Sequence, residues 1–281
     1  MEYDALVDAV RTETGTLLFA LEGGATDDLV PTCEGWTVAD LAVHVGNFAG
    51  FWCHVLCEAT DQPKPDLSDP PEGDETVVWA AGACAALITQ LEATPPDTPT
   101  WTWSPTDHSA RFVARRSAHE LAVHRFDAQA ARGICTPIPA ELAVDGINEV
   151  LDLLAPSRDH SGRGSGRTMD LRSTDAGMEW AVSLEPGRID TERRSQDQAP
   201  LANRRLLTVT PGCRCQVQRG AFHRAQAKAI GGGGVRRWRH AAHRRRNGST
   251  NGAQHRGRRR GDGHHEHIFQ RQRTRFHFRL K

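Results

Sequence analysis

The chain lacks any run of about 20 uninterrupted apolar residues, the length a membrane-spanning helix needs. Its longest mostly apolar stretch, Leu41–Cys57, is broken by His44, Asn47 and His54, so no transmembrane segment is expected. The first ten residues, MEYDALVDAV, are acidic and amphipathic. They carry neither the basic nor the apolar part of a secretory signal, and the expected location is the cytoplasm. The seven cysteines are odd in number and include no C-x-x-C. Buried free thiols are expected rather than a disulfide framework. No G-x-S-x-G, no Walker loop and no G-x-G-x-x-G following a strand occurs, which excludes the commonest serine-hydrolase, nucleotide and dinucleotide sites. Lysine is scarce, supplying 3 of the 35 basic residues.

Charge is abundant but divided. The whole chain is neutral, with 35 basic and 35 acidic residues. Residues 1–195 hold 14 basic and 32 acidic residues, whereas residues 196–281 hold 21 and 3. So large an asymmetry means that the two parts must be read separately.

The first 156 residues read as a helical bundle. Leu6, Val7, Val10, Leu17, Leu18 and Leu21 form a helical stripe over 3–21, which Gly23-Gly24 ends. A second helix starts at Thr37, where Asp40 stands three residues on, the spacing of a capping box, and it runs to about Ala59. Further helices are expected over about 75–92, 109–131 and 139–154, the last with Pro139 in its first turn. Residues 157–167 are a Gly- and Ser-rich linker. TMDLRST and GMEWAVSLE then alternate like strands around an Asp-Ala-Gly turn, the opening of a small α+β domain over 168–195. The strand pattern fades after about Arg193. In the basic low-complexity tail, 196–281, only 25 of 86 residues are hydrophobic, too few to offset the entropy of ordering the chain, and disorder is expected. A GC-rich reading frame read out of register gives such a string, so a frameshift near 188–195 is the other explanation of the tail; the nucleotide sequence tests it.

The chemistry lies in RRSAHELAVHRFDAQAAR. Glu120 and His124 are four apart and share one helix face, where they can hold one divalent metal. His119 lies about 100° round the helix from Glu120 and does not join them. H-E-x-x-x-H is not H-E-x-x-H, and His119 and His124 diverge by about 140°, so a metalloprotease is a poor reading. A third ligand must come from another helix. His44 is the candidate, mid-helix among Leu41, Val43, Val45 and Phe48, where an unpaired polar group is costly, with Gly46 permitting a close approach. Two imidazoles and one carboxylate with open positions suit zinc or another first-row divalent metal. From spacing alone, an ordinary helical pair and a satisfied core histidine remain the other reading.

VPTCEGWTVADLAVHVG, then RRSAHELAVHRFDAQAA, then a linker and DLRSTDAGMEWAVSL, resembles the mycothiol-dependent maleylpyruvate isomerase family over roughly residues 5–190. The most specific parts are P-x-x-x-G-W-T-V-x-D-L-x-x-H, from Pro31 to His44, and E-x-x-x-H-R-x-D, from Glu120 to Asp127. The resemblance implies a mainly α protein: a DinB-like four-helix bundle, then a small α+β domain. It implies one divalent metal, usually assigned as zinc, on His44, Glu120 and His124. It also implies mycothiol as thiol cosubstrate and a small electrophilic substrate. A coordinated thiol is held as thiolate because the metal lowers its pKa. In the isomerase that thiolate would add to the cis double bond of maleylpyruvate, and rotation and elimination would give fumarylpyruvate; in related bundles the thiol is transferred instead. The family's second domain is complete, whereas only its first two strands are recognisable here, so activity is in question and a metal-binding bundle without activity is the alternative.

Other residues have plainer readings. Asp127 is read first as a surface carboxylate and second as a partner orienting His124. His54 and His108 are expected to face solvent. Trp101 and Trp103 either line a pocket mouth or cover the bundle end. Cys33 is not needed as a nucleophile. The Arg-rich RRWRHAAHRRR and RGRRRG could contact phosphates, but stacking aromatics are few, and nucleic-acid binding is the least favoured function. HHEH at 264–267 is a weak metal motif.

Overall fold

The computed structural model describes residues 1–58, 69–154, 167–173, 175–185, 188–195 and 206–209. The expected linker after residue 156, the HHEH motif and all of the tail except 206–209 lie outside the described residues, as does the question of their order.

Five helices form: α1 (Tyr3–Glu22), α2 (Val38–Glu58), α3 (Glu75–Ala93), α4 (Ala110–Ala131) and α5 (Ala140–Glu149). Their bounds fall within two residues of the expected ones, except that α5 stops at Glu149 and gives way to a π-helical turn, Val150–Leu154. The protein is mainly α, and α1–α4 make the bundle, with α1 packed on α4 and α2 on α3. Leu6, Val10, Leu17 and Leu21 of α1 are buried together with Leu41, Val45 and Val55 of α2 and Leu87 and Leu91 of α3.

α4 is the central element. Every residue from Arg116 to Gln129 is buried. That is the exposure profile of a helix hydrophobic all round, yet this one carries Arg116, His119, Glu120, His124, Arg125, Asp127 and Gln129. Each such group must find a partner inside the protein. Arg125 does so with Glu13 of α1 (2.7 Å), Gln129, and the carbonyls of Thr136 and Pro137. His119 does so with Asp145 of α5 (2.8 Å), which also accepts from Arg115. Burial opposes ionisation of Asp145, but His119 and Arg115 outweigh it and hold the carboxyl below its usual range.

α3 corrects the reading of apolar runs. Among the described residues it is a helix long and apolar enough, by length and composition, to cross a membrane. In the fold its Val77, Ala80, Cys84, Leu87 and Leu91 row is buried in the bundle. The thiols also differ from expectation. Cys84 is buried, Cys57 is exposed, and Cys33 and Cys53 lie between, all four free; Cys135 is disulfide-bonded.

The bundle is followed by a sheet of order β3-β2-β1-β4, made of β1 (Arg167–Ser173), β2 (Met178–Glu185), β3 (Arg188–Ser195) and β4 (Leu206–Val209). β1 and β2 are the two expected strands. β3 extends the pairing beyond them, antiparallel to β2 from Glu185↔Arg188 to Met178↔Ser195. Its mostly charged residues, half of them exposed and half partly buried, give no apolar alternation to read. β4 pairs parallel with β1, so four residues of the expected tail are a strand. Trp180 and Val182 of β2 pack on Ile147 and Leu151, and Trp180 Nε1 donates to Asn148 Oδ1 (2.8 Å).

Candidate metal centre

The loop before α2 builds one wall of the site. Leu29 and Thr37 bridge, Trp36 C=O accepts from Val30 N–H (2.9 Å), and Gly35 takes a left-handed φ of 78°. That turn requires glycine, since a side chain is costly there. The expected capping box is present: Asp40 Oδ2 accepts from Thr37 N–H (2.9 Å) and Asp40 N–H donates to Thr37 Oγ1 (3.2 Å). The box fixes where α2 begins, and so where His44 falls two turns later. Gly46 lets the Trp79 ring of α3 lie directly against α2, the close approach read from the sequence.

The structure brings His44, Glu120 and His124 together. Their ligand atoms lie within 4.8 Å of one another. Glu120 Oε1 is the common point, 2.9 Å from His44 Nε2 and 3.1 Å from His124 Nε2. The two imidazoles meet edge to face with centroids 4.6 Å apart, and the Trp36 ring stands 5.3 Å from His44 and 6.4 Å from His124. Glu120 and His124 are buried, while His44 is partly exposed. The centre therefore has a dry floor on α4 and a wetter edge on α2.

Around these three is a layer of polar partners. His124 Nδ1 lies 3.0 Å from Asp127 Oδ2. With Nδ1–H donated to that carboxylate, Nε2 is the nitrogen left to face inward. Asp127 is fully buried, so its surface reading is wrong and its second reading holds. Arg116, 1% exposed, donates from one nitrogen to Glu120 Oε2 (3.1 Å) and from another to Glu149, itself fully buried. Oε2 is thus spoken for and Oε1 is left to the histidines. Arg116 and Glu149 were missed in the sequence. Arg116 was readable, since 116, 120 and 124 are one helix face at spacing four; Glu149 comes from another helix and left no local signal.

The electrostatics follow from this packing. Burial works to raise the Glu120 pKa, but hydrogen bonds from His124 and His44 and the Arg116 charge overcome it and hold the carboxyl well below the usual range. Burial works to lower His124, yet Asp127 and Glu120 push it up to about 9. At His44 burial wins, and the imidazole stays neutral below its usual pKa. Cys33 beside Asp127 is pushed up, chiefly by burial and then by that carboxylate, so it is a thiol rather than a nucleophilic thiolate. His54 sits by Glu58, half-exposed, and His108 meets Thr102. Trp101 packs on Phe51 and Trp52, and Trp103 on Phe112, so the two rings cover aromatic side chains of α2 and α4.

The buried charges test whether a metal fits. Glu120, Asp127 and Glu149 set three carboxylates against one guanidinium. In the metal-free protein a proton on His124, held up to about 9 by Asp127 and Glu120, supplies a second positive charge. A divalent cation between two neutral imidazoles would take the place of that proton, since buried charge needs compensation. Two imidazole nitrogens and one carboxylate oxygen are also the donor types of zinc and similar ions. The residues present fit the group.

Comparisons with known proteins agree with the motifs. Residues 7–129 match the family described as the mycothiol maleylpyruvate isomerase N-terminal domain. No curated protein matches the chain significantly. Among solved structures, an alanine-for-histidine mutant of the mycothiol-dependent maleylpyruvate isomerase superposes with a TM-score of 0.49 at 15% identity, over 67% of this chain and 82% of that one. By its two sequence motifs and the match over residues 7–129, this chain resembles the mycothiol-dependent maleylpyruvate isomerase family.

Proposed function

We propose that the chain is a divalent-metal-binding, mycothiol-dependent enzyme, acting on a small electrophilic substrate by isomerisation or thiol transfer. The observation that carries this reading is the convergence of His44, Glu120 and His124 on one carboxylate oxygen inside a largely buried polar cluster. The family match at residues 7–129 supports mycothiol as the thiol.

In this reading His44 and His124 offer Nε2 and Glu120 offers Oε1. The bound ion, zinc by its donor set, supplies one thing: it lowers the pKa of a coordinated thiol so that it is held as thiolate at neutral pH. The chain does the rest. Asp127 fixes the His124 tautomer, and Arg116 keeps the second Glu120 oxygen occupied. The buried floor of α4 excludes water, which strengthens every charge interaction above it. Trp36 gives the site an apolar wall on the side of His44.

The test is turnover by the full chain, loaded with zinc and supplied with mycothiol and maleylpyruvate. The reading expects product formation that needs both metal and thiol and is lost in Glu120→Ala. Zinc-loaded protein that shows neither isomerisation nor thiol transfer would make this a metal-binding bundle without that activity.

A further inference from the structure

Arg116 and Glu149 link the candidate metal ligand to the sheet. Glu149 is the last residue of α5, and the π-helical turn Val150–Leu154 begins at the next residue. Such turns re-aim side chains and occur often at functional sites. Here the neighbours of Glu149 face the sheet: Ile147 and Leu151 pack on Trp180 and Val182, and Asn148 accepts from Trp180 Nε1. Glu149 faces the other way and meets Arg116, which in turn meets Glu120. Arg116 Nε and Glu149 Oε1 are buried with no hydrogen-bond partner among the described residues. The pair is therefore not saturated locally, and a purely structural ion pair would gain by satisfying both atoms.

We propose that Glu149 and Arg116 are positioning residues that transmit the packing of the sheet on α5 to Glu120, so that the sheet sets the metal affinity of a bundle that holds all three ligands. This inference rests on the metal reading above. The sign follows from charge and geometry together. Removing the Glu149 charge leaves Arg116 to act on Glu120 alone, which makes that carboxylate a poorer ligand. It also lowers the negative charge that attracts a cation. Both effects weaken binding. At Arg116 those two effects both reverse sign, since losing the guanidinium frees Glu120 and raises the negative charge, but they are opposed by loss of the hydrogen bond that holds Glu120 Oε2 in place, so Glu149 is the cleaner probe.

The experiment titrates the metal-free full chain with Co²⁺ and with Zn²⁺, reading the cobalt visible spectrum and a competing chelator. Glu149→Gln is expected to weaken both metals about 10- to 100-fold, the range for groups that orient a ligand, and to change the cobalt spectrum. Trp180→Phe keeps the ring in the sheet core but removes the donor to Asn148; it should weaken binding by up to about fivefold. In the double variant the Trp180→Phe effect should disappear, as for residues acting through one another. Affinities and spectra unchanged by Glu149→Gln would overturn the proposal, as would strictly additive losses. If Glu149→Gln does not fold, Trp180→Phe and Glu149→Asp carry the test, and unchanged affinity in both overturns it. Absence of binding by the unaltered chain would instead defeat the metal reading itself.

Discussion

Replacing Asp127 by Asn removes a charge from beneath His124 while changing almost no volume. In the metal-free protein His124 is held up to about 9 by Asp127 and Glu120 against the cost of burial. From an ordinary value of 6.5, that shift corresponds to about 3 kcal/mol at 1.36 kcal/mol per unit. Asp127 and Glu120 each contact one ring nitrogen, at 3.0 and 3.1 Å, so Asp127→Asn removes one of two charged hydrogen bonds, on the order of 2 kcal/mol. A raised folded pKa stabilises the fold fully below about 6.5 and loses that contribution as pH rises through about 9. Urea unfolding of the metal-free chain should therefore show Asp127→Asn less stable by about 2 kcal/mol at pH 6.5, with the difference shrinking toward pH 9.5. A deficit of the same size at both pH values would refute the reasoning, since Asp127 would then act through packing or a neutral hydrogen bond.

Other consequences follow from the same contacts. Because a metal must displace the proton that His124 holds up to about pH 9, apparent zinc affinity should rise about tenfold per pH unit between 6.5 and 8.5, measured with a chelator of known pH dependence; a flat profile would contradict it. Gly46→Ala would drive a Cβ into the Trp79 ring, and a loss of ~1–3 kcal/mol is expected in chemical denaturation, with weaker metal binding because His44 lies half a turn away. Arg125→Met would leave Glu13 buried without its cation, costing ~3–5 kcal/mol and loosening α1 from α4; an unchanged melting temperature would show that the pair adds nothing.

Much of this was legible in the residues themselves. The apolar stripe of α1, the Thr37–Asp40 box and the spacing of Glu120 and His124 are local signals, and each appears where it was read. His44 was found because an imidazole among apolar neighbours needs a partner, and its partner is Glu120. Asp127 was misread because spacing cannot report burial on a helix enclosed on every side. Glu149 and the Trp180–Asn148 contact join segments 32 or 33 residues apart, and no local pattern announces such pairs. β3 was overlooked for a different reason: a mostly charged strand with one apolar residue, Ile189, is recruited by pairing with β2 rather than by its own apolar alternation.

The central claim is that His44, Glu120 and His124 hold a metal. The measurement is metal content of the full chain purified without added chelator, beside Glu120→Ala and His124→Ala, with folding monitored by circular dichroism. The account predicts about one zinc-like ion per chain, lost in both variants while their helices persist. A folded, unaltered chain that carries no stoichiometric metal and takes up none from excess zinc would contradict it, leaving the three residues a buried hydrogen-bonded cluster.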